Sequence, residues 1–513
     1  MMQPDFVTAP AVVVGGGIAG LSAALGLEDC AVVANEPVGG GSSCLAQGGI
    51  AAAIGAGDSP AQHAADTVRV GAGLTDADIV ALVTGAAPSR VEWLDSLGVA
   101  FDRDTTGALT FGREAGHSQH RIVHAGGDRT GAAVMRALRA AVLARPGIRR
   151  LEGFELVDII ASGARAAGVL LEAADGARLA VLAPHVILAT GGIGACFDRT
   201  TNPATSRGAG LAAAARRGVR LADLEFVQFH PTALDVAGDP LPLLTEALRG
   251  VGAVLLDGSG RRFMTAIHPD AELAPRDVVA RAVALRRLAG EPVLLDATPV
   301  TELETRFPGA CELARAAGFD PARQALPIAT AAHFHMGGIA TDAFGATSMP
   351  GLWACGEAAA TGLHGGNRLA SNSLLEGLVF GARAAAAIRA AKLPVPAGTL
   401  DVPRQAAGGA PDPERIRALR RLIGRSLGPV RSGAGLAAAR SELARHEAAT
   451  HGEEVLHTLA RLLLDGALAR RESRGAHYRQ DYPEPATGGA VRRFVQPAAV
   501  PAIPLAGAQS RVA

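Results

Sequence analysis

Cysteine is scarce in this chain of 513 residues: Cys30, Cys44, Cys196, Cys311 and Cys355 are odd in number, scattered and without C-x-x-C spacing. Such a set builds neither a disulfide framework nor a zinc ribbon, and it suits a reducing compartment. Net charge is missing too. With 49 basic side chains against 49 acidic ones, the chain as a whole has no electrostatic footprint for nucleic acid or an anionic membrane, although a local patch stays open. No uncharged apolar run reaches the ~18–20 residues of a membrane span. Met1 to Pro10 holds an acid and prolines, with no basic segment ahead of an apolar one. A cytoplasmic protein without membrane or nucleic-acid partner is expected.

What is present suits a folded chain: 49% of residues are hydrophobic and 19% charged. The length corresponds to about three domains at ~150 residues each. Gly 64 and Pro 30 make up about 18% of the residues, above the ordinary level yet below low complexity, so many turns are expected.

The strongest local signal is Ala11-Val12-Val13-Val14 followed by Gly15-Gly16-Gly17-Ile18-Ala19-Gly20 and then Leu21-Ser22-Ala23-Ala24-Leu25. It reads as strand, tight turn and helix. Gly15, Gly17 and Gly20 permit the turn, a close approach to a pyrophosphate and close helix–strand packing, at the positive end of a helix. A glycine-rich turn entering an alanine-rich helix is the plainer alternative, and the flanking strand and helix favour the dinucleotide-binding reading. A second strand, Ala31 to Ala34, leads to Asn35 and Glu36, where such folds bind an adenosine ribose; the choice between the two stays open. His185 to Gly192 and Gly351 to Glu357 are further apolar strands ending in glycine, each of which alone would be an ordinary buried parallel strand.

From about Asp223 to Gly338 the βα rhythm gives way to polar, turn-rich sequence, which predicts an inserted domain. Ala406 to Asp412 reads as a linker. Asp412 and Pro413 then cap a helix carrying Ile416, Leu419, Ile423 and Leu427, and Val455, Leu459, Leu462 and Leu463 repeat the helical spacing. The Pro-rich residues after Gln496 are expected to lie extended over the surface.

Several segments exceed what a generic dinucleotide fold explains: Ser42-Ser43-Cys44-Leu45-Ala46-Gln47-Gly48-Gly49, Arg113 to Ser118, Glu225 to Thr232, Thr245 to Gly250, Ala274 to Asp277, and His364 to Leu374. Together, and in this order, they resemble the flavoproteins of the succinate dehydrogenase and fumarate reductase family, and within it the soluble branch that oxidises L-aspartate. The resemblance runs nearly the whole length, to Arg471-Glu472-Ser473-Arg474-Gly475 and then His477 and Arg479. It implies an α/β fold with a Rossmann-like FAD-binding domain in two parts (1–223 and 339–404), an inserted α+β capping domain (224–338) and a C-terminal helical domain (405–513).

The resemblance places FAD against Gly15, Gly16, Gly17, Ile18, Ala19, Gly20, Asn35, the run Ser42 to Gly49, Glu357, Ser373 and Leu374. It places a dicarboxylate among Arg368, His333, His230, Thr245, Gln228 and Ser371. An arginine suits such a ligand because its planar fork can bind one carboxylate through two hydrogen bonds. Arg276 occupies the family's proton-transfer position, an awkward task for a group with a pKa above ~12, which a relay through Glu246 and Arg249 would ease. Without the resemblance, Glu246 and Arg249 would read as a solvated i, i+3 ion pair. Glu114 matches a carboxylate that pairs with a substrate ammonium; by itself it would be an exposed loop glutamate. The implied activity is oxidation of L-aspartate to iminosuccinate, the first step of NAD synthesis through quinolinate. Oxygen or fumarate would accept the electrons, and contact with quinolinate synthase would be transient. A soluble fumarate reductase or succinate dehydrogenase flavoprotein is the alternative.

Three positions depart from the family, and a histidine pair invites another reading. Ser42 stands where membrane-associated relatives carry a flavin-linking histidine, so FAD is expected to be non-covalent. Ala209 stands between Gly208 and Gly210 where an acid usually helps hold FAD, which predicts weaker cofactor binding, and Asn35 replaces a frequent lysine. His333 and His335 have H-x-H spacing, but no third ligand accompanies them and no metal is expected. His117, His120 and His124 read as loop and supporting residues without an assigned role.

Overall fold

The structure is a computed structural model that describes residues 4–391, 393, 398–404 and 411–505. Most of the expected linker, 406–410, lies outside the described residues, as do 1–3 and the last residues, 506–513. Among the described residues the strands form five sheets. One is wholly parallel, in the order Leu352–Ala354, Val186–Leu188, Val12–Val14, Cys30–Ala34, Ile148–Glu152. Its inner strands read Val-Val-Val, Val-Ile-Leu and Cys-Ala-Val-Val-Ala and are buried throughout, as a parallel sheet covered on both faces requires. The helix Ile18–Gly26 follows the glycine turn and packs against Asn372–Ala390. That contact is close enough that a Cβ on Gly381 would lie 2.5 Å from the Ala19 carbonyl oxygen.

Between the strands Ile148–Glu152 and Val186–Leu188 the chain builds most of a second sheet, led by the long hairpin Phe154–Ser162 and Arg165–Ala173. This six-stranded sheet is not evident in the sequence reading. One edge is Asp5–Thr8; toward the other, Asp401–Pro403 and then Ala502–Pro504 come from late in the chain, so the Pro-rich tail is paired into a sheet edge, with Ala502–Pro504 exposed.

The segment after Asp223 folds into a separate antiparallel sheet, Val227–Leu234, Leu326–His335, Val293–Asp296 and Val254–Asp257 in spatial order. The helix Arg276–Leu288 covers it, burying Val279 and Val283 with Leu244, Phe263 and Leu295 in a core of their own. The two crossings to the rest of the molecule run side by side, because Leu221–Ala222 pairs antiparallel with Gly338–Ala340. Helices Pro413–Leu427, Gly433–Leu443 and His451–Ala469 pack together near the C-terminus. The Asp412 side chain accepts from Glu414 N, and the Leu419, Ile423 and Leu427 stripe packs with Leu459 and Leu463.

Candidate active site

The C-terminal ends of the parallel strands and the facing edge of the antiparallel sheet enclose one cavity of about 490 Å³. At its inner wall the turn Gly15 to Ala19 passes beneath the strand ends. Gly15 adopts φ +127°, and a Cβ there would lie 2.1 Å from the Ala189 carbonyl oxygen. Gly20 does not face the cavity; its role is packing, since a Cβ would come within 1.9 Å of the Gly15 carbonyl oxygen. Ser43 accepts a hydrogen bond from Ile18 N at 3.1 Å, tying the run Ser42 to Gly49 to the helix start.

Of the residues singled out for a cofactor, Gly15, Gly16, Gly17, Ile18, Ala19, Asn35, Ser42, Ser43, Leu45, Ala46, Gln47, Gly48, Gly49, Glu357, Ser373 and Leu374 line this cavity, as does Glu36. Cys44 does not; it packs against apolar neighbours. Ser42 meets Ser206, Oγ to Oγ at 3.0 Å. Burial pushes the Glu357 carboxyl up to about 7, opposed by the hydrogen bond it accepts from His335 N. The cavity fits a polar dinucleotide: Gln47 Oε1, Thr190 Oγ1 and Asn202 Oδ1 are buried without a hydrogen-bond partner, an expensive state that a bound polar ligand relieves. Spacing gives no signal for Thr201 or Asn202; Thr190 is signalled by its place just past the strand Val186–Leu188 and directly before Gly191 and Gly192.

The other end of the cavity holds Glu114, His230, Thr245, Glu246, Arg276, His333, Arg368 and Ser371. Gln228 and Arg249 stand behind it. Arg276 opens its helix directly after Pro275 and donates through Nε to Glu246 Oε2 and through Nη1 to Gln228 Oε1 at 3.0 Å. The short helix Ala247–Gly250 follows Glu246, bringing Arg249 Nη2 to 3.2 Å from the same carboxylate oxygen. Burial raises the Glu246 pKa, but Arg276 and Arg249 outweigh it and leave the pKa below the usual carboxylate range. This ion pair is therefore buried, not solvated.

Arg368 stacks over the Phe334 ring at 4.6 Å, reaches Ser373 Oγ at 3.3 Å, and has a buried Nε without a partner. Burial, reinforced by Arg276, brings its pKa down to about 9, so it is still charged at neutral pH. His230 and His333 meet edge to face at 5.0 Å. Thr232 engages Nδ1 of His230 at 3.2 Å and Thr201 engages Nδ1 of His333 at 2.8 Å, which leaves the other ring nitrogens for a ligand. Burial and the charge of Arg276 hold both imidazoles well below their ordinary pKa, hence neutral.

Glu114 is buried, and burial first and Glu246 second push its pKa up. Its partner Ser371 sits at φ +60°. The residues on either side of that serine are anchored by His117, whose Nε2 bonds the Ala370 backbone oxygen at 2.9 Å, and by His63, whose Nε2 bonds the Asn372 side-chain Oδ1 at 2.8 Å. His117 thus has a supporting part that the sequence leaves unassigned. His335 turns to Leu224 O, away from any shared ligand with His333. Among the described residues no group of three or more His, Cys, Asp or Glu is placed to hold a metal ion, and no helix is long and apolar enough to cross a membrane.

Residues 11–374 match a family model described as an FAD binding domain, and 446–493 match one described as the fumarate reductase flavoprotein C-terminus. An L-aspartate oxidase of Caulobacter vibrioides is 46% identical over 493 residues, covering 94% of this chain and 95% of its own. One of Agrobacterium fabrum is 46% identical over 488 residues, 92% and 91%. Among solved structures, an E. coli quinol fumarate reductase chain superposes with a TM-score of 0.85 at 28% identity, covering 97% of both chains. With a glycine turn, a polar cavity and a cluster of buried cations in the matched region, the chain belongs to the succinate dehydrogenase and fumarate reductase flavoprotein family and is an FAD-dependent oxidoreductase.

Proposed function

We propose that this protein oxidises L-aspartate to iminosuccinate, the step that opens NAD synthesis through quinolinate, with oxygen or fumarate taking the electrons. The observation that carries this reading is Glu114: a buried carboxylate that accepts from Ser371 at the end of the cavity where Arg276 and Arg368 stand. A plain dicarboxylate has no use for it, whereas an α-amino dicarboxylate brings an ammonium that neutralises it. FAD, when bound, supplies the two-electron acceptor for the amine-bearing carbon. The unpartnered Nε of Arg368 and its neighbouring N–H groups grip one carboxylate, and His230, His333 and Thr245 offer neutral donors for the rest of the diacid. Gln228 orients Arg276. Arg276 donates to Glu246, and Arg249 is ion-paired with the same carboxylate oxygen; along this line of groups a proton leaves the substrate.

In this reading 1–223 and 339–404 bind the flavin, 224–338 close over the substrate as a cap, and 405–513 brace both. Movement near Asp223 and Gly338 admits aspartate, and closure excludes water. Ser42 has no imidazole to alkylate, so the flavin is held without a covalent bond. The protein works in the cytoplasm and passes its product to quinolinate synthase through a transient contact. A soluble fumarate reductase or succinate dehydrogenase is the second reading, favoured by the likeness to the quinol fumarate reductase chain. Anaerobic mixing of the holoprotein with aspartate, and separately with succinate, decides between them: bleaching of the flavin absorbance by aspartate is expected, and bleaching by succinate alone would overturn the proposal.

A further inference from the structure

Asn367 is 1% exposed and takes no part in the chemistry above, yet both ends of its side-chain amide are spent across the cavity seam. Its Oδ1 accepts from Gln228 Nε2 at 2.8 Å, and its Nδ2 donates to Asp277 Oδ1 at 2.8 Å. Gln228 and Asp277 belong to the inserted segment, Asn367 to the chain that returns from it. Gln228 Nε2 also reaches Arg368 O at 2.9 Å, and Gln228 Oε1 accepts from Arg276 Nη1 at 3.0 Å.

The polarity of this chain has only one solution. A carboxylate accepts and a guanidinium donates. Asp277 therefore requires the NH2 of Asn367, which turns Oδ1 toward Gln228. Gln228 must then present its own NH2 to Asn367, and its oxygen is left for Arg276. Either amide reversed would set donor against donor or acceptor against acceptor in a buried place, at the cost of unsatisfied groups. Asp277 is also the residue next to Arg276 at the start of the same helix, so one amide holds the arginine from both sides.

We propose that Asn367 is a positioning residue, a clasp that couples closure of residues 224–338 over the substrate to the orientation of Arg276. With the seam open, Gln228 and Asp277 lose their common partner, and the Gln228 amide that accepts from Arg276 is no longer fixed in direction. With the seam closed, the hydrogen-bond direction runs unbroken from Asp277 to Arg276. This rests on the aspartate-oxidising reading for its rate measurement but not for its binding measurement.

The test is a polarity swap in the flavin-loaded protein. Asn367→Asp sets two carboxylates against each other; Asp277→Asn added to it restores a donor at 277 and an acceptor at 367, with Gln228 still served. Anaerobic flavin reduction at saturating aspartate is expected to fall at least about 30-fold in Asn367→Asp, with a smaller change in KM, and to recover in the double variant to within about threefold of Asp277→Asn alone. A double variant as slow as Asn367→Asp, or slower, overturns the clasp. Malonate, which has two carboxylates but neither an amine nor a carbon pair to oxidise, supplies a second readout through its perturbation of the flavin spectrum. Loss of that perturbation in Asn367→Asp and its return in the swap supports the clasp even if aspartate fails to bleach the wild type, an outcome that removes only the proposed reaction. If Asn367→Asp does not retain flavin, the double variant still decides, because a residue needed merely to fill space gains nothing from a second substitution.

Discussion

The Ser371 hydroxyl donates to Glu114 Oε2 at 2.7 Å, across 257 residues of sequence. This bond holds a carboxylate that burial and Glu246 together make costly to ionise, and keeps it ready for a cation.

Replacing that carboxylate tests its pairing with an ammonium. Glu114→Gln is expected to lower kcat/KM for aspartate by about 2–4 kcal/mol, roughly 30- to 1000-fold, without a parallel loss toward succinate or fumarate. Because the Glu114 pKa is raised, by burial first and Glu246 second, the ionised form is lost on acidification before an ordinary carboxylate would protonate. The aspartate KM of the wild type therefore climbs on acidification, and that of the variant does not follow. Equal losses on all diacids would refute the pairing.

Arg276→Leu removes the donor between substrate and Glu246. Aspartate-dependent flavin reduction is expected to drop about 10²- to 10⁴-fold by stopped-flow absorbance, with Arg276→Lys losing less. Full reduction in the leucine variant would disprove the proton role.

Ala209 begins the helix Ala209–Arg216 and lines the cavity. Ala209→Glu supplies an acceptor beside the cofactor and a negative charge in a helix's first turn, so FAD should bind tighter by about 1–2 kcal/mol. Fluorescence titration of the apoprotein measures it; unchanged or weaker affinity would show that the alanine is no deficit.

Beneath the site, Arg121 is fully buried and pairs with Asp58 at 2.8 Å and Asp66 at 2.6 Å. Burial raises the Asp66 pKa, but hydrogen bonds from Ser118, Arg69 and Arg121 outweigh it and bring the carboxyl down to about 2. A depressed pKa contributes stability that is present above about pH 4 and lost as pH falls toward 2, here about 2 kcal/mol. Arg121→Met should cost about 3 kcal/mol at neutral pH by leaving the buried Asp58 without its cation and Asp66 with Arg69 and Ser118 alone. Urea unfolding across that pH range checks both; a variant as stable as the wild type would contradict the pairing energetics.

Much of this was legible in the sequence because it is local. The glycine turn after Val14 is a run of backbone requirements between adjacent residues, and the Leu419, Ile423, Leu427 stripe is a repeat within one helix. The candidate site residues were legible only through their motifs, and even then Glu246 and Arg249 carried two readings until burial excluded the solvated surface pair. Thr201 on His333 and the anchoring of Ser371 by His63 and His117 left no trace in spacing, because each joins segments far apart in the chain.

The amino-acid sequence by itself determined the dinucleotide turn, the chemical types gathered for a diacid, the serine where a flavin-linking histidine would stand, and the helices near the C-terminus. The turn and the helices follow from covalent neighbours and from the helical period; the other two rest on the family resemblance. Only the tertiary structure decided which carboxylate is buried among the cations, which ring nitrogens remain for a ligand, and that one amide at Asn367 aligns Asp277, Gln228 and Arg276. The physical reason is that hydrogen-bond direction and desolvation are properties of neighbours in space, and a chain acquires those neighbours only when its separate sheets close on one cavity.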